Sequence, residues 1–383
     1  MKLLFKTVLF VITMIILCQC NNRHEIIITD EKFLNSLTEQ GFDIDGDGTI
    51  STSEAERIHS LNVSKKSISD LTGIQLFINI DTLDCSMNSL KNLDLSAIKG
   101  LKYLNCQLNQ LCEINISNND DIEQLDCSYN RLTSLNISNN KDLIKLLCSN
   151  NQITSLDVSK NKVLSYLNCR ANQLTSLDIS NNKALSTLYC DNNTLTRLDL
   201  SVNLNLGSLG CRNNQLKNID LSHNALLVEL DCSENLLSSL DLSGNKELQS
   251  LFCEVNQLNL IDLGKNSQLL YLYCTGNQLG SLDVSASTAL KMLHCSDNIL
   301  TELNVSNNSA LFVLLCGKNQ ITNLDLTNNA AMGSNQYGLN RLNLDSMPGL
   351  HKVCVWTMPF PPSDLTLNFS GSPNVYFTTD CSK

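Results

Sequence analysis

Twelve cysteines, Cys85, Cys106, Cys127, Cys148, Cys169, Cys190, Cys211, Cys232, Cys253, Cys274, Cys295 and Cys316, fall 21 residues apart with no insertion or deletion between them. An asparagine stands three residues after each, from Asn88 to Asn319. A phase kept through so many units implies equivalent coils stacked along an axis, because a slip of one residue would turn the buried side outward from there on. One unit reads L-x-x-L-x-C-x-x-N-x-L-x-x-L-D-L-S-x-N-x-x, and residues 164–184 are a clean copy. Leu167 and Cys169 alternate with Asn168, and Leu177 and Ile179 alternate with Asp178, the period of two that marks a short strand.

The expected fold is therefore mainly β. It is a solenoid of about 12 regular coils with short parallel strands on two sides, roughly 4.8 Å from coil to coil, around a thin core of Leu, Ile, Val and Cys. A small helical cap is expected at the N-terminal end and an irregular β-type cap at the other, since an open stack presents apolar core and unpaired strand edges. The asparagines read as turn residues whose amides occupy peptide groups that a bend leaves without partners. The pattern resembles the leucine-rich repeat, in its 21-residue bacterial class. That resemblance implies a solenoid used mainly as a binding surface.

Seventeen cysteines would suggest disulfides if the chain were exported. Strand geometry opposes them within the column, because parallel Cβ vectors hold neighbouring Cβ atoms near the coil spacing instead of the roughly 3.8 Å a disulfide wants. The ladder thiols are expected to be buried small hydrophobes. Cys354 and Cys381 lie outside the column and are the candidate disulfide.

Residues 1–17 begin with Lys2 and Lys6 and continue through LFVITMIIL, a signal-peptide pattern too short to span a bilayer. The stop at a cysteine before Asn21 and Asn22 resembles a bacterial lipoprotein, which implies acylation of Cys20, with Cys18 as the alternative, and membrane attachment through lipid alone. The divisions read as signal peptide 1–19, tether and calcium-binding cap 20–64, solenoid 65–332 and C-terminal cap 333–383.

In FDIDGDGTISTSEAERI, Asp43, Asp45 and Asp47 hold places one, three and five of a twelve-residue loop, Thr49 offers its carbonyl at seven, and Glu54 stands at twelve. This resembles an EF-hand, or half of a dockerin module, in a single copy. It implies calcium as the cofactor, bound by these five residues, stiffening the N-terminal cap.

The five histidines share no motif, and no G-x-S-x-G, H-E-x-x-H or phosphate-cradling glycine loop occurs. No cleft is expected, and the reading is non-enzymatic. A net charge of −11 opposes nucleic acid. Comparing repeats, the place nine after the cysteine is Asp in nine coils and Asn in three, whereas the outward places of the first strand vary. Bulk concentrates late, at Phe252, Tyr271, Tyr273, Met292, His294, Val313 and Leu315, which marks a contact patch; drift on a surface free to vary is the alternative. Tyr166, Tyr189, Arg170 and Arg212 form a smaller group upstream.

Across nearly the whole mature chain the sequence resembles internalin-like leucine-rich-repeat lipoproteins. That implies a monomeric outer-membrane protein at the cell surface, binding a protein or glycan ligand outside the cell. A scaffolding component of an envelope complex, docked through the calcium loop, is the second reading.

Overall fold

The computed structural model describes residues 26–334 and 340–381. They form two compact units, one ending at Leu143 and one beginning at Ile144.

The first unit opens with helix α1 (Glu31–Glu39). Its N-cap Asp30 accepts from the Lys32 and Phe33 amides and, through its other oxygen, from the Ser69 amide and hydroxyl, so one carboxylate both starts the helix and ties it to the chain beyond. Phe33 and Leu37 face inward, and Phe33 packs against Phe77 with ring centroids 6.1 Å apart. The calcium-type loop follows, then the single-turn helix α2 (Thr52–Ala55) and four parallel strands, β1 (Ser60–Asn62), β2 (Thr82–Asp84), β3 (Tyr103–Asn105) and β4 (Gln124–Asp126).

The second unit carries a parallel sheet of eleven three-residue strands. Nine are β5 (Lys145–Leu147), β6 (Tyr166–Asn168), β7 (Thr187–Tyr189), β8 (Ser208–Gly210), β9 (Glu229–Asp231), β10 (Ser250–Phe252), β11 (Tyr271–Tyr273), β12 (Met292–His294) and β13 (Val313–Leu315). After β14 (Asn323–Asp325), the sheet resumes with β15 (Arg341–Asn343) and β17 (Thr366–Asn368), while β14, β16 (Lys352–Cys354) and β18 (Tyr376–Thr378) make a second, three-stranded sheet. The solenoid thus has fifteen turns, four and eleven in the two units. The three turns beyond the regular twelve escape the sequence period because their steps differ: β1 stands 22 residues before β2, β15 follows β13 after 28, and β17 follows β15 after 25.

Every ladder sulfur is buried, and the one disulfide among the described residues joins Cys354 to Cys381, Cα atoms 5.7 Å apart. A typical turn buries Leu164, Leu167, Cys169, Leu174, Leu177 and Ile179. Each large side chain among these contributes roughly 1.5–3 kcal/mol through burial.

The asparagines bracket the turns. Asn193 donates to the carbonyls of Cys169, Cys190 and Asp191, and its Oδ1 accepts from the Leu174 amide, so one side chain serves its own turn and the one before. Two residues after each cysteine the backbone enters the left-handed region, with φ between 50° at Asn213 and 70° at Gly276. Sequence inspection does not reveal this column, because Met87, Leu108, Tyr129 and Val255 occupy it alongside Asn and Gly.

The second side of the coil differs from expectation. Among the described residues, strand pairing there is confined to β14, β16 and β18 and to isolated bridges at Asp94–Asn115 and Asp283–Asn304. Elsewhere the repeated Asp turns its carboxylate onto the backbone, as where the Asp178 Oδ1 accepts from the Ser180 amide at 2.9 Å. Leu-Asp-Leu points its leucines inward in such an Asx turn as it would in a strand, so the alternation alone does not separate the two.

Candidate binding face and loop site

On the main sheet of the second unit, the place just before each cysteine holds an Asx residue in several turns. Its side chain accepts from the amide two residues on, as Asn168 does from Arg170 and Asp231 from Ser233. From β10 to β13 bulky groups stand there instead, and the cap returns at Asn343 and Asn368 of β15 and β17. Phe252, Tyr273, His294 and Leu315 come from successive strands in register, so their side chains stack. The Phe252 and Tyr273 ring centroids lie 4.9 Å apart, those of Tyr273 and His294 3.9 Å, and the Tyr273 hydroxyl donates to the Met292 sulfur at 3.3 Å. Burial, with Arg341 nearby, pushes His294 down to about 4, so its imidazole is neutral at physiological pH. Tyr271 and Met292 flank the stack in register.

Val313 is not part of this surface. It is buried at 4% exposure, because in register it stands between the longer side chains of Met292 and Arg341. The remaining members, Phe252, Tyr271, Tyr273, Met292, His294 and Leu315, are half-buried by one another.

The upstream group is organised by a residue that sequence inspection passes over. The Asp191 side chain is 1% exposed and takes both Arg170 Nε and Nη2 at 2.9 Å, while its Oδ1 accepts from the Arg212 amide. That last bond is the one position 210 supplies in an Asx-bearing turn; here Gly210 leaves the space, and a Cβ on it would lie 2.8 Å from the Asp191 carboxylate. The lone glycine in a column of side chains was the available signal. Arg170 lies over the Tyr189 ring at 5.4 Å, Tyr166 meets Tyr189 edge to face, and Arg212 pairs with Glu234 at 2.5 Å.

A groove of about 1230 Å³ runs along the second side, lined by Asp262, Asp283, Glu302, Asp325, Lys352 and the Cys354–Cys381 bridge among others. It corrects the expectation that the repeat offers no cleft: beside the regular coils, Lys352 and Cys354 of β16, with Cys381, supply a wall. Asp262, Asp283 and Asp325 each commit an oxygen to a turn amide, at Gly264, Ser285 and Thr327, and so act as turn caps within it.

At the N-terminal loop, Asp43, Asp45 and Glu54 bring one carboxylate oxygen each to within 4.8 Å of one another. Asp43 accepts from the Gly46, Asp47 and Gly48 amides, which wraps the loop around it; Gly46 and Gly48 make the bends at φ 73° and 85°. Asp47 accepts from the Thr49 amide and hydroxyl. Glu54 bridges the two ends of the loop, accepting from the Ile44 and Ser51 amides. This all-oxygen donor set suits a hard divalent cation such as calcium. The loop is single, and the Ile50 carbonyl accepts from the Ile26 amide at 2.9 Å, with both isoleucines buried. Cys18, Cys20 and the signal segment lie outside the described residues. No helix among the described residues is long and apolar enough to cross a membrane.

No family model matches the chain. No curated protein matches it either. Solved structures do. The functional domain of InlJ from Listeria monocytogenes, which includes a cysteine ladder, is 34% identical, with 80% of this chain and 70% of that one covered at a TM-score of 0.70. An internalin, InlF, of the same organism is 18% identical over 93% and 97% of the two chains, TM-score 0.63. The leucine-rich-repeat protein LIC12759 of Leptospira interrogans is 20% identical over 85% and 97%, TM-score 0.62. The last two share the fold.

Proposed function

The chain belongs to the internalin-like leucine-rich-repeat proteins, and from that premise we propose that it is a non-enzymatic recognition protein of the cell exterior, binding a protein ligand through the strand face of the second unit. The observation that carries this reading is the stacked run of Phe252, Tyr273 and His294, where bulky rings replace Asx caps that satisfy the backbone elsewhere. Half-exposed aromatic groups at register spacing form a rigid surface that loses little side-chain entropy on binding. In this reading Cys20 is acylated and holds the protein at the outer membrane as a surface-displayed monomer. The N-terminal loop binds calcium through Asp43, Asp45, Asp47, Glu54 and the Thr49 carbonyl, stiffening the cap between tether and repeats.

The test is a binding screen of the purified mature chain against extracellular proteins and glycans, followed by the triple variant F252A/Y271A/Y273A. Loss of binding with an unchanged unfolding midpoint supports the reading; retention of binding by the folded variant refutes it. For the loop, calcium raises the thermal midpoint of the wild type and leaves D43A/E54A unmoved. An equal response in both removes calcium from the proposal.

A further inference from the structure

We propose that the strand face contains a subsite for an arginine or lysine side chain of the protein partner, whose stem lies along Phe252 and Tyr273, whose charge reaches Asp231, Glu234 and Glu254, and whose apolar neighbours rest on Tyr273 to Leu315. This rests on the strand face being the binding surface, and it names the chemistry that surface selects.

Charge sets the requirement. Arg212 is bonded to Glu234 and has Asp231 and Glu254 close by, so one guanidinium stands among three carboxylates. Burial pushes both Asp231 and Glu254 upward, opposed only in part by the Ser233 hydrogen bonds at Asp231 and by Arg212 at both, a state that a further cation relieves. The Phe252 and Tyr273 rings adjoin this acidic end, and Glu254 acts on the Tyr273 hydroxyl. Aromatic faces beside carboxylates complement a cation on an apolar stem. At the other end His294 is neutral and Arg341 lies near it, which repels a cation. The face therefore has a polarity, and a neutral glycan would leave the acidic excess unmatched.

Val255 is a further exposed group at this end. It sits in the left-handed column at φ 51°, where a β-branched side chain is strained, and is 56% exposed. Its side chain reaches toward Gly276 in the next turn, where a Cβ would come within 3.4 Å of it. Next to Glu254 in the chain and open to solvent, it is available to touch a ligand.

The test uses the full mature chain and an immobilised positional-scanning library of short peptides, with a neutral-glycan array as the second arm. Peptides that join Arg or Lys to Leu, Ile or Phe should be retained preferentially. E254Q and D231N should each weaken retention about tenfold, as loss of a charge-assisted contact does, and F252A/Y273A should abolish it. V255N should weaken retention while raising the thermal midpoint by about 2–4 °C, since Asn tolerates the left-handed region. Retention lost in F252A/Y273A but unchanged in E254Q and D231N overturns the cationic subsite and leaves the binding face standing. Retention unchanged in all of them overturns both. A preference for acidic or uncharged peptides, retention of neutral glycans alone, or V255N binding like wild type overturns the subsite.

Discussion

The two sides of each coil in the second unit solve one problem differently. Along the main sheet, adjacent turns satisfy each other's peptide groups by strand pairing, and the outward side chains run through Lys145, Tyr166, Thr187, Ser208, Glu229 and Tyr271 with no common chemistry. On the opposite side strand pairing is sparse, and the side chains themselves must supply backbone partners: Asp178 to the Ser180 amide, Asn182 to the Val158 and Asn161 carbonyls. There the sequence scarcely varies. A side that saturates its backbone with backbone is free to diversify, and a side that uses side chains for the purpose is not. This is why the proposed binding face is placed on the strands.

The comparison fails or gains precision under four perturbations. The largest effect is expected at alkaline pH. Burial pushes the ladder thiols up, to about 12 at Cys169 and Cys316 and well above the usual range at Cys190 and Cys211. The folded chain therefore holds protons that the unfolded chain releases above about pH 8.5, and stability is present below that value and falls as pH rises past it, by about 1.4 kcal/mol per pH unit for each thiol. Urea midpoints taken from neutrality to about pH 10 should fall steeply, with a shallower slope in Cys211→Ala; a flat profile contradicts thiol burial.

Next, Asn193→Ala removes a bracket serving four peptide groups. It should lower the unfolding free energy by about 3 kcal/mol, the cost of leaving buried groups without partners. Equilibrium denaturation measures it.

Third comes the acid side. Asp178 is held below its ordinary value by the side chain and backbone of Ser180, and Asp199 by the backbone and side chain of Ser201. A depressed carboxylate contributes stability above its unfolded value of 3.8, lost as pH falls through the lower folded value. Asp199→Asn keeps the acceptor, as Asn136 does toward Ser138. It should match wild type at neutral pH and lose less in acid, whereas Asp199→Ala should be weaker at both. The smallest effect belongs to the variable side: Thr187→Ala should stay within about 0.5 kcal/mol.

Much of this was legible in the residues. The thiol column, its burial and the role of the asparagines follow from a period that only stacking explains, and the loop carboxylates from their spacing. What was not legible shares one cause, that different backbones place side chains alike. Leu177 and Ile179 point inward in an Asx turn as in a strand. The left-handed column lacks its glycine signature, since Met87, Leu108 and Val255 stand in it. Val313 reads as outward from its place in the unit, and only the longer side chains beside it decide otherwise. Asp191 becomes visible once Gly210 is recognised as space made for it.

The bracket at Asn193 reaches backward, to Cys169 and Leu174 of the preceding turn. Each repeat is thus finished by its successor, and a chain delivered amino end first acquires order one unit behind its own emergence, like a zip whose slider trails the hand. Lengthening by whole units leaves that sequence of closures intact, so the array can grow or shrink in evolution without redesign, provided its final unit ends in something that asks for no successor.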